Sequence, residues 1–304
     1  MPASVKVRVP ATVANLGPGF DALGAAISMH LEIDIEPRRD SIDVAVEGEG
    51  AETLPADDTN LVIRAMNTFF DRAGRRPPGY AVRIRNPIPM AAGLGSSAAA
   101  VVGGLFAART ITGRAVHQAE MVDMAVALEG HPDNVLPAML GGLIVCYRAS
   151  DGAELRHFRV EPSERLVPIV AVPREGFSTP EARRSLPGEV AFADAQFTAS
   201  RAALLVSALS SGATSEVLAD AMEDRLHEPY RLRLMPESAA VHAELRESGV
   251  AVAVSGAGPA LLVIVAKPEA ATRAEQVRRI CRSRNAGWRV FVSEWEPRGA
   301  RVEA

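Results

Sequence analysis

The chain has 304 residues, 48% of them hydrophobic and 23% charged, enough for one large or two medium globular domains. A net charge of −4 and a pI near 5.9 exclude a nucleic-acid binder that works through bulk electrostatics. Two cysteines, Cys146 and Cys281, are too few and too far apart for a disulfide scaffold or a zinc site, and they read as buried thiols.

No apolar leader follows Met1, so the chain reads as a reduced, cytoplasmic enzyme. Ser4 to Val9 alternates polar and apolar residues, a half-buried strand that Pro10 is expected to stop. Residues 11–21 form a loop dense in glycine, proline, Asn and Asp. Leu31 to Glu36 and Ser41 to Glu47 alternate as strands, and Glu47 to Gly50 reads as a turn. Asp57 to Asn60 opens an amphipathic helix, Leu61 to Ala73, which Gly74 and Pro77 end. Tyr80 to Arg85 alternates as a strand. Ala115 to Leu128 has helical spacing, ended by Gly130 and Pro132. Gly142 to Tyr147 and Leu155 to Val160 read as strands, which makes the first half α+β.

The polar stretch Arg159 to Arg165 is the expected boundary, giving domains 1–160 and 161–304. Beyond it come a buried strand at Leu166 to Val172 and helices near 192–210, 214–226 and 237–247. A strand at Val250 to Val254, another at Ala260 to Ala266, a helix at Ala270 to Ser283 and a strand at Trp288 to Trp295 follow. That order resembles a split βαβ sheet with helices on one face. The tail from Arg298 is expected to fray.

The stretch Pro87 to Ala100 organises the chain. Two prolines lead into Gly93-Leu94-Gly95-Ser96-Ser97 and then into a run of small apolar residues that reads as a buried helix. Although no charge occurs from Asn86 to Ala108, Gly, Ala, Ser and two prolines argue against a membrane span. Glycines allow close backbone approach, and a helix N-terminus attracts anions. Ser96 or Ser97 can cap that helix or turn a hydroxyl to a ligand. The spacing is neither the Walker nor the dinucleotide pattern, so this is a different phosphate loop or a plain turn into a core helix.

Other candidates lie on loops 11–21, 129–134 and 255–259. Ser96 with Glu129 could hold Mg²⁺, or Glu129 could simply end an exposed helix face. His131 lacks the second His or Cys of a metal cluster and reads as a hydrogen-bonding residue. Asp133 could serve as a general base for an alcohol or make a turn. Asn15 and Asp21 could hold a polar substrate or shape the turn at Gly17-Pro18-Gly19. Either Arg183 or Arg231 could clamp a carboxylate, or be solvated. Ser255 to Pro259 is a second backbone nest or a tight turn.

Three runs together resemble the GHMP kinase superfamily: Pro10 to Asp21, Gly93 to Ala99, and Ser255-Gly256-Ala257-Gly258-Pro259. Within it, Ala14 to Asp21 and Glu129-Gly130-His131-Pro132-Asp133-Asn134 resemble the branch that phosphorylates homoserine. The resemblance covers essentially the whole chain. It implies an α+β two-domain architecture, with an N-terminal domain like the second domain of ribosomal S5 and a ferredoxin-like C-terminal domain. It implies ATP-dependent phosphorylation of the L-homoserine side-chain hydroxyl, in threonine biosynthesis. Related small-alcohol kinases, such as mevalonate kinases, and a non-catalytic ligand-binding member are the alternatives.

By the same resemblance, Pro89, Met90, Ala91, Ala92, Gly93, Leu94, Gly95, Ser96, Ser97, Ala98 and Ala99 cradle ATP, with Asn60 near the adenine. Ser96 and Glu129 hold Mg²⁺. Asn15, Asp21, His131, Asp133, Asn134, Thr179, Arg183 and Arg231 line the amino-acid pocket, the arginines on its carboxylate and Asp21 on its ammonium. Gly256 and Gly258 close the site from the second domain. Ala91 stands where family members often carry glycine and is expected to have ordinary dihedrals. No membrane or nucleic-acid partner is expected, and a homodimer is left open.

Overall fold

The computed structural model describes residues 4–303 except 153, 178, 285 and 286, and of Thr179 only the backbone. The chain begins with β1 (Val5–Ala14), β2 (Leu23–Arg38), β3 (Ile42–Gly48), α1 (Leu61–Ala73) and β4 (Gly79–Asn86). Next come α2 (Ser96–Thr112), α3 (Gln118–Glu129), α4 (Pro132–Leu140), β5 (Leu143–Arg148) and β6 (Leu155–Val160). These strands, with a C-terminal strand described below, form one seven-stranded sheet.

β2 is its spine. Residues 32–38 pair with β4, residues 23–25 pair with β5, and β1 runs antiparallel along nearly its whole length. Only β3 is parallel to its neighbour. Pro10 does not end β1 as expected. The register shifts between Pro10 and Ala11, and at that bulge the missing N–H is tolerated.

α1 and α2 cover the inner face. α1 is amphipathic: Val62, Ile63, Met66, Phe69 and Phe70 point inward. Asn60 caps its N-terminus and left-handed Gly74 ends it. α2 buries most of its circumference, as its Ala, Val and Gly content dictates for a helix between a sheet and other helices. Each large side chain buried in this core is worth about 1.5–3 kcal/mol.

The second half holds β7 (Leu166–Val172), α5 (Thr179–Arg184), α6 (Phe192–Ser211), α7 (Ser215–Ala221), α8 (Glu228–Leu232) and α9 (Pro236–Glu247). It continues with β8 (Val252–Val254), β9 (Leu261–Ala266), α10 (Ala270–Arg284) and β10 (Arg289–Val292). Its four strands order as β10-β7-β9-β8, each pair antiparallel. With helices between β7 and β8 and between β9 and β10, this is the expected ferredoxin-like arrangement.

Two further expectations are corrected. The tail does not fray: β11 (Arg301–Glu303) returns to the first sheet and pairs with Lys6 to Arg8 of β1. His30, Glu296 and Arg301 anchor this return, with His30 Nε2 at 2.6 Å from Glu296 Oε2. The segment after Glu129 is not all loop, because Pro132 opens α4 at a position where its missing N–H costs nothing.

Candidate active site

The phosphate-loop candidate joins β4 to α2. Gly95 is the N-cap residue of α2, with φ +65°, and no side chain caps the helix start. The first amides of α2 are therefore left for a ligand, at the positive end of the helix dipole. Both flanking glycines are required. A Cβ on Gly95 would lie 1.9 Å from Thr12 Oγ1, and one on Gly93 would lie 2.0 Å from the Ser255 carbonyl oxygen.

Three loops are stitched together here. Thr12 N–H donates to Leu94 O at 3.1 Å, Ala260 N–H to Ala92 O at 3.1 Å, and Gly256 N–H to Ala14 O at 3.0 Å. Ser255 Oγ donates to Gly93 O at 2.7 Å, and Asn15 Nδ2 to Gly256 O at 2.8 Å. Among the described residues, the non-glycine residues at positive φ are Asn15, Leu16, Asp21 and Ala91. All four lie on these loops, as expected where a site over-determines its backbone. Ala91, at φ +50°, corrects the expectation of ordinary dihedrals. Its carbonyl is held by Phe177 N–H at 2.8 Å.

One cleft, with a cavity volume of about 280 Å³, brings most of the candidates together. Its walls include Asn15, Asp21, Asn60, Pro89 to Ser97, Glu129, His131, Asp133, Asn134, Arg183, Arg231 and Gly256. Gly258 is not among the lining residues, and the side chains of Ala98 and Ala99 are fully buried in the core. Thr179 starts α5, but its side chain lies outside the described residues.

The side chains fall into distinct groups. Ser97 Oγ donates a short hydrogen bond to Glu129. Ser96 Oγ instead accepts from Asn86 Nδ2 at 3.3 Å, so the hydroxyl paired with the carboxylate is that of Ser97. Burial raises the Glu129 pKa above its ordinary value, against the opposing pull of Ser97 and His131. His131 Nδ1 lies 2.9 Å from Asp133 Oδ1, and that bond raises the His131 pKa. Thr12 Oγ1 donates to Asn134 Oδ1 at 2.7 Å. Asn60 already spends its oxygen on Val62 N–H and its amide on Pro55 O, so it shapes the wall more than it reads a ligand.

The two arginines differ. Arg183 Nη1 and Nη2 make a bidentate pair with Asp21, at 2.8 and 2.9 Å, and its pKa is raised by that bond. Arg231 is 3% exposed and bonds Gly256 O at 2.8 Å. Its buried Nε has no partner, and burial lowers its pKa. Both guanidinium groups lie over the Phe20 ring, at 5.8 and 5.2 Å from its centroid.

Sequence reasoning missed Asn86, Thr12, Phe20, Asp224, His227 and Glu228. For the last three a signal existed: an Asp followed three positions later by His-Glu-Pro is a cap-and-start pattern for a short helix.

A family model for the GHMP kinases N terminal domain matches residues 60–142, and one for the GHMP kinases C terminal domain matches residues 205–283. The chain is 40% identical over 304 residues to a homoserine kinase from Streptomyces avermitilis, covering 99% of this chain and 96% of that one. It is 46% identical over 270 residues to a homoserine kinase from Mycolicibacterium smegmatis, covering 85% and 84%. The crystal structure of homoserine kinase from Cytophaga hutchinsonii superposes with a TM-score of 0.87 at 26% identity, covering 100% and 98%.

Proposed function

The chain belongs to the GHMP kinases, and from that premise we propose that it transfers the γ-phosphoryl group of ATP to the side-chain hydroxyl of L-homoserine. The observation that carries this reading is one shared cleft. An uncapped helix start opens into the same space as two arginines, an aspartate and the His131–Asp133 pair. The first suits a polyphosphate; the rest suit a small zwitterion with a hydroxyl.

The residues fit the nucleotide and its metal. Main-chain amides at Gly93 to Ser97 would hold the phosphates, at a helix start that no side chain caps. Glu129 and Ser97, with Ser96 as the other hydroxyl at the helix start, offer oxygen donors suited to Mg²⁺. Among the described residues no cluster of three or more His, Cys, Asp or Glu side chains could hold a metal alone, so phosphate and water would complete the set. Bound there, Mg²⁺ would supply charge neutralisation.

Arg231 would take the substrate carboxylate from the cleft wall, with Arg183 beside it, and Asp21 and Asn15 would face the ammonium. Asp133, oriented by His131, would accept the hydroxyl proton as that oxygen bonds to the γ-phosphorus and the bond to ADP breaks. Cytoplasmic location fits this use of ATP; no described helix is long and apolar enough to cross a membrane. Domains at 1–160 and 161–304 fit the two sheets, with β11 as the one strand that crosses back.

A coupled ADP-release assay over homoserine, mevalonate, shikimate and galactose, with product identified by phosphorus NMR, tests this. Turnover is expected with homoserine; turnover with another alcohol and none with homoserine would refute it.

A further inference from the structure

We propose that His227 is the positioning residue for the substrate-carboxylate arginine, a role that rests on the reading of Arg231 given above. His227 is fully buried and sits behind Arg231, away from the cleft lining. Its Nε2 lies 2.7 Å from the Gly17 carbonyl oxygen and its Nδ1 lies 3.2 Å from Arg231 Nη1.

These partners dictate the tautomer. A carbonyl oxygen can only accept, so Nε2 carries the hydrogen. A guanidinium can only donate, so Nδ1 is bare and accepts. One neutral imidazole therefore links the glycine turn of the substrate loop to the arginine that faces the substrate.

The imidazole also builds the platform beneath the arginines. Its ring stacks on Phe20, with centroids 5.2 Å apart and planes at 29°. Phe20 in turn carries both Arg183 and Arg231 over its ring.

His227 is itself held rigidly. Asp224 Oδ2 accepts the main-chain N–H of His227 at 2.7 Å and of Glu228 at 2.9 Å. Glu228 then accepts Val254 N–H, just before the second glycine loop. Arg231 Nη1 is thus fixed between Gly256 O and His227 Nδ1, which sets the plane of the guanidinium at the cleft wall.

The two halves of the imidazole can be separated by substitution. His227→Asn retains an acceptor near the Nδ1 position, and His227→Gln retains a donor near Nε2. Homoserine binding is measured by calorimetry, and KM for homoserine and for ATP by turnover, on the full chain with thermal melts as a folding control. His227→Gln and His227→Ala are expected to weaken homoserine binding about tenfold, the worth of one hydrogen bond to a charged group, with KM for ATP nearly unchanged. His227→Asn is expected to bind homoserine within about threefold of the parent, a difference under 1 kcal/mol.

Equal behaviour of the Asn and Gln variants, or parallel rises in both KM values, would overturn the proposal and leave His227 a structural bracket. If His227→Ala fails to fold, the near-isosteric Asn and Gln variants decide. Arg231→Ala run alongside separates the two readings: if it leaves homoserine binding intact, the carboxylate clamp fails, whereas if it weakens binding and the His227 variants do not, only the positioning role fails.

Discussion

Gly93→Ala combines two costs that the structure separates. Gly93 has φ +79°, and an alanine there pays the left-handed penalty of about 1–2 kcal/mol. Its Cβ would also stand 2.0 Å from Ser255 O and 3.0 Å from Gly258 N, both main-chain atoms. Main chain cannot swing aside, so the loops must part, at a further cost of about 1–3 kcal/mol by analogy with overpacked cores. Gly74→Ala is the internal control: φ is +62° and nothing lies within 4 Å of the added carbon. The expected losses are about 1–2 kcal/mol for Gly74→Ala and about 2–5 kcal/mol for Gly93→Ala. Urea denaturation measures both, and titration with a Mg²⁺–ATP analogue reports whether the cradle survives. Gly93→Ala with the stability of Gly74→Ala and parental nucleotide affinity would overturn the close-approach argument.

Glu129→Gln should cut turnover by about 100-fold or more, the scale of losing one charge-stabilising group. Because burial raises the folded pKa of Glu129, its ionisation costs stability as pH rises from 4.5 through the raised value. The ligand-free Gln variant should therefore melt at or above the parent at neutral pH, with the gap closing in acid; a lower melting temperature at neutral pH contradicts this. Arg231→Ala should raise KM for homoserine at least about 30-fold, the cost of removing one partner from a buried charge pair. Its KM for ATP should hardly change, and equal effects on both would count against the clamp. Ala91→Gly relieves a left-handed alanine and should leave stability unchanged or raise it by up to about 1 kcal/mol; a clear loss in the urea midpoint would contradict the assigned conformation.

The tight turn into α2 was legible because two glycines and two serines precede a small-residue helix; a phosphate role for it is what the family resemblance implies. The split βαβ order of the second half was legible from hydrophobic periodicity, and the ferredoxin-like domain from the family resemblance. What escaped was nonlocal. β11 is three residues long, and only its pairing to the far end of the chain makes it a strand. α4 carries Pro132 at its start and Pro137 inside it, so its sequence reads as a turn until packing overrides propensity. Ser96 and Ser97 are equivalent on paper; the helix phase alone brings Ser97 to Glu129. The Asp21–Arg183 pair joins two residues read separately as ligands for opposite ends of one substrate. At His227 the sequence shows a helix start and nothing of what the imidazole holds, namely Arg231 and the turn at Gly17.

Amide hydrogen exchange with and without Mg²⁺ and a non-hydrolysable ATP analogue tests the phosphate cradle directly. Slowed exchange confined chiefly to Gly93 through Ser97 and the first turn of α2 is the expected result. Unchanged exchange there, with protection appearing on a different segment, would contradict it.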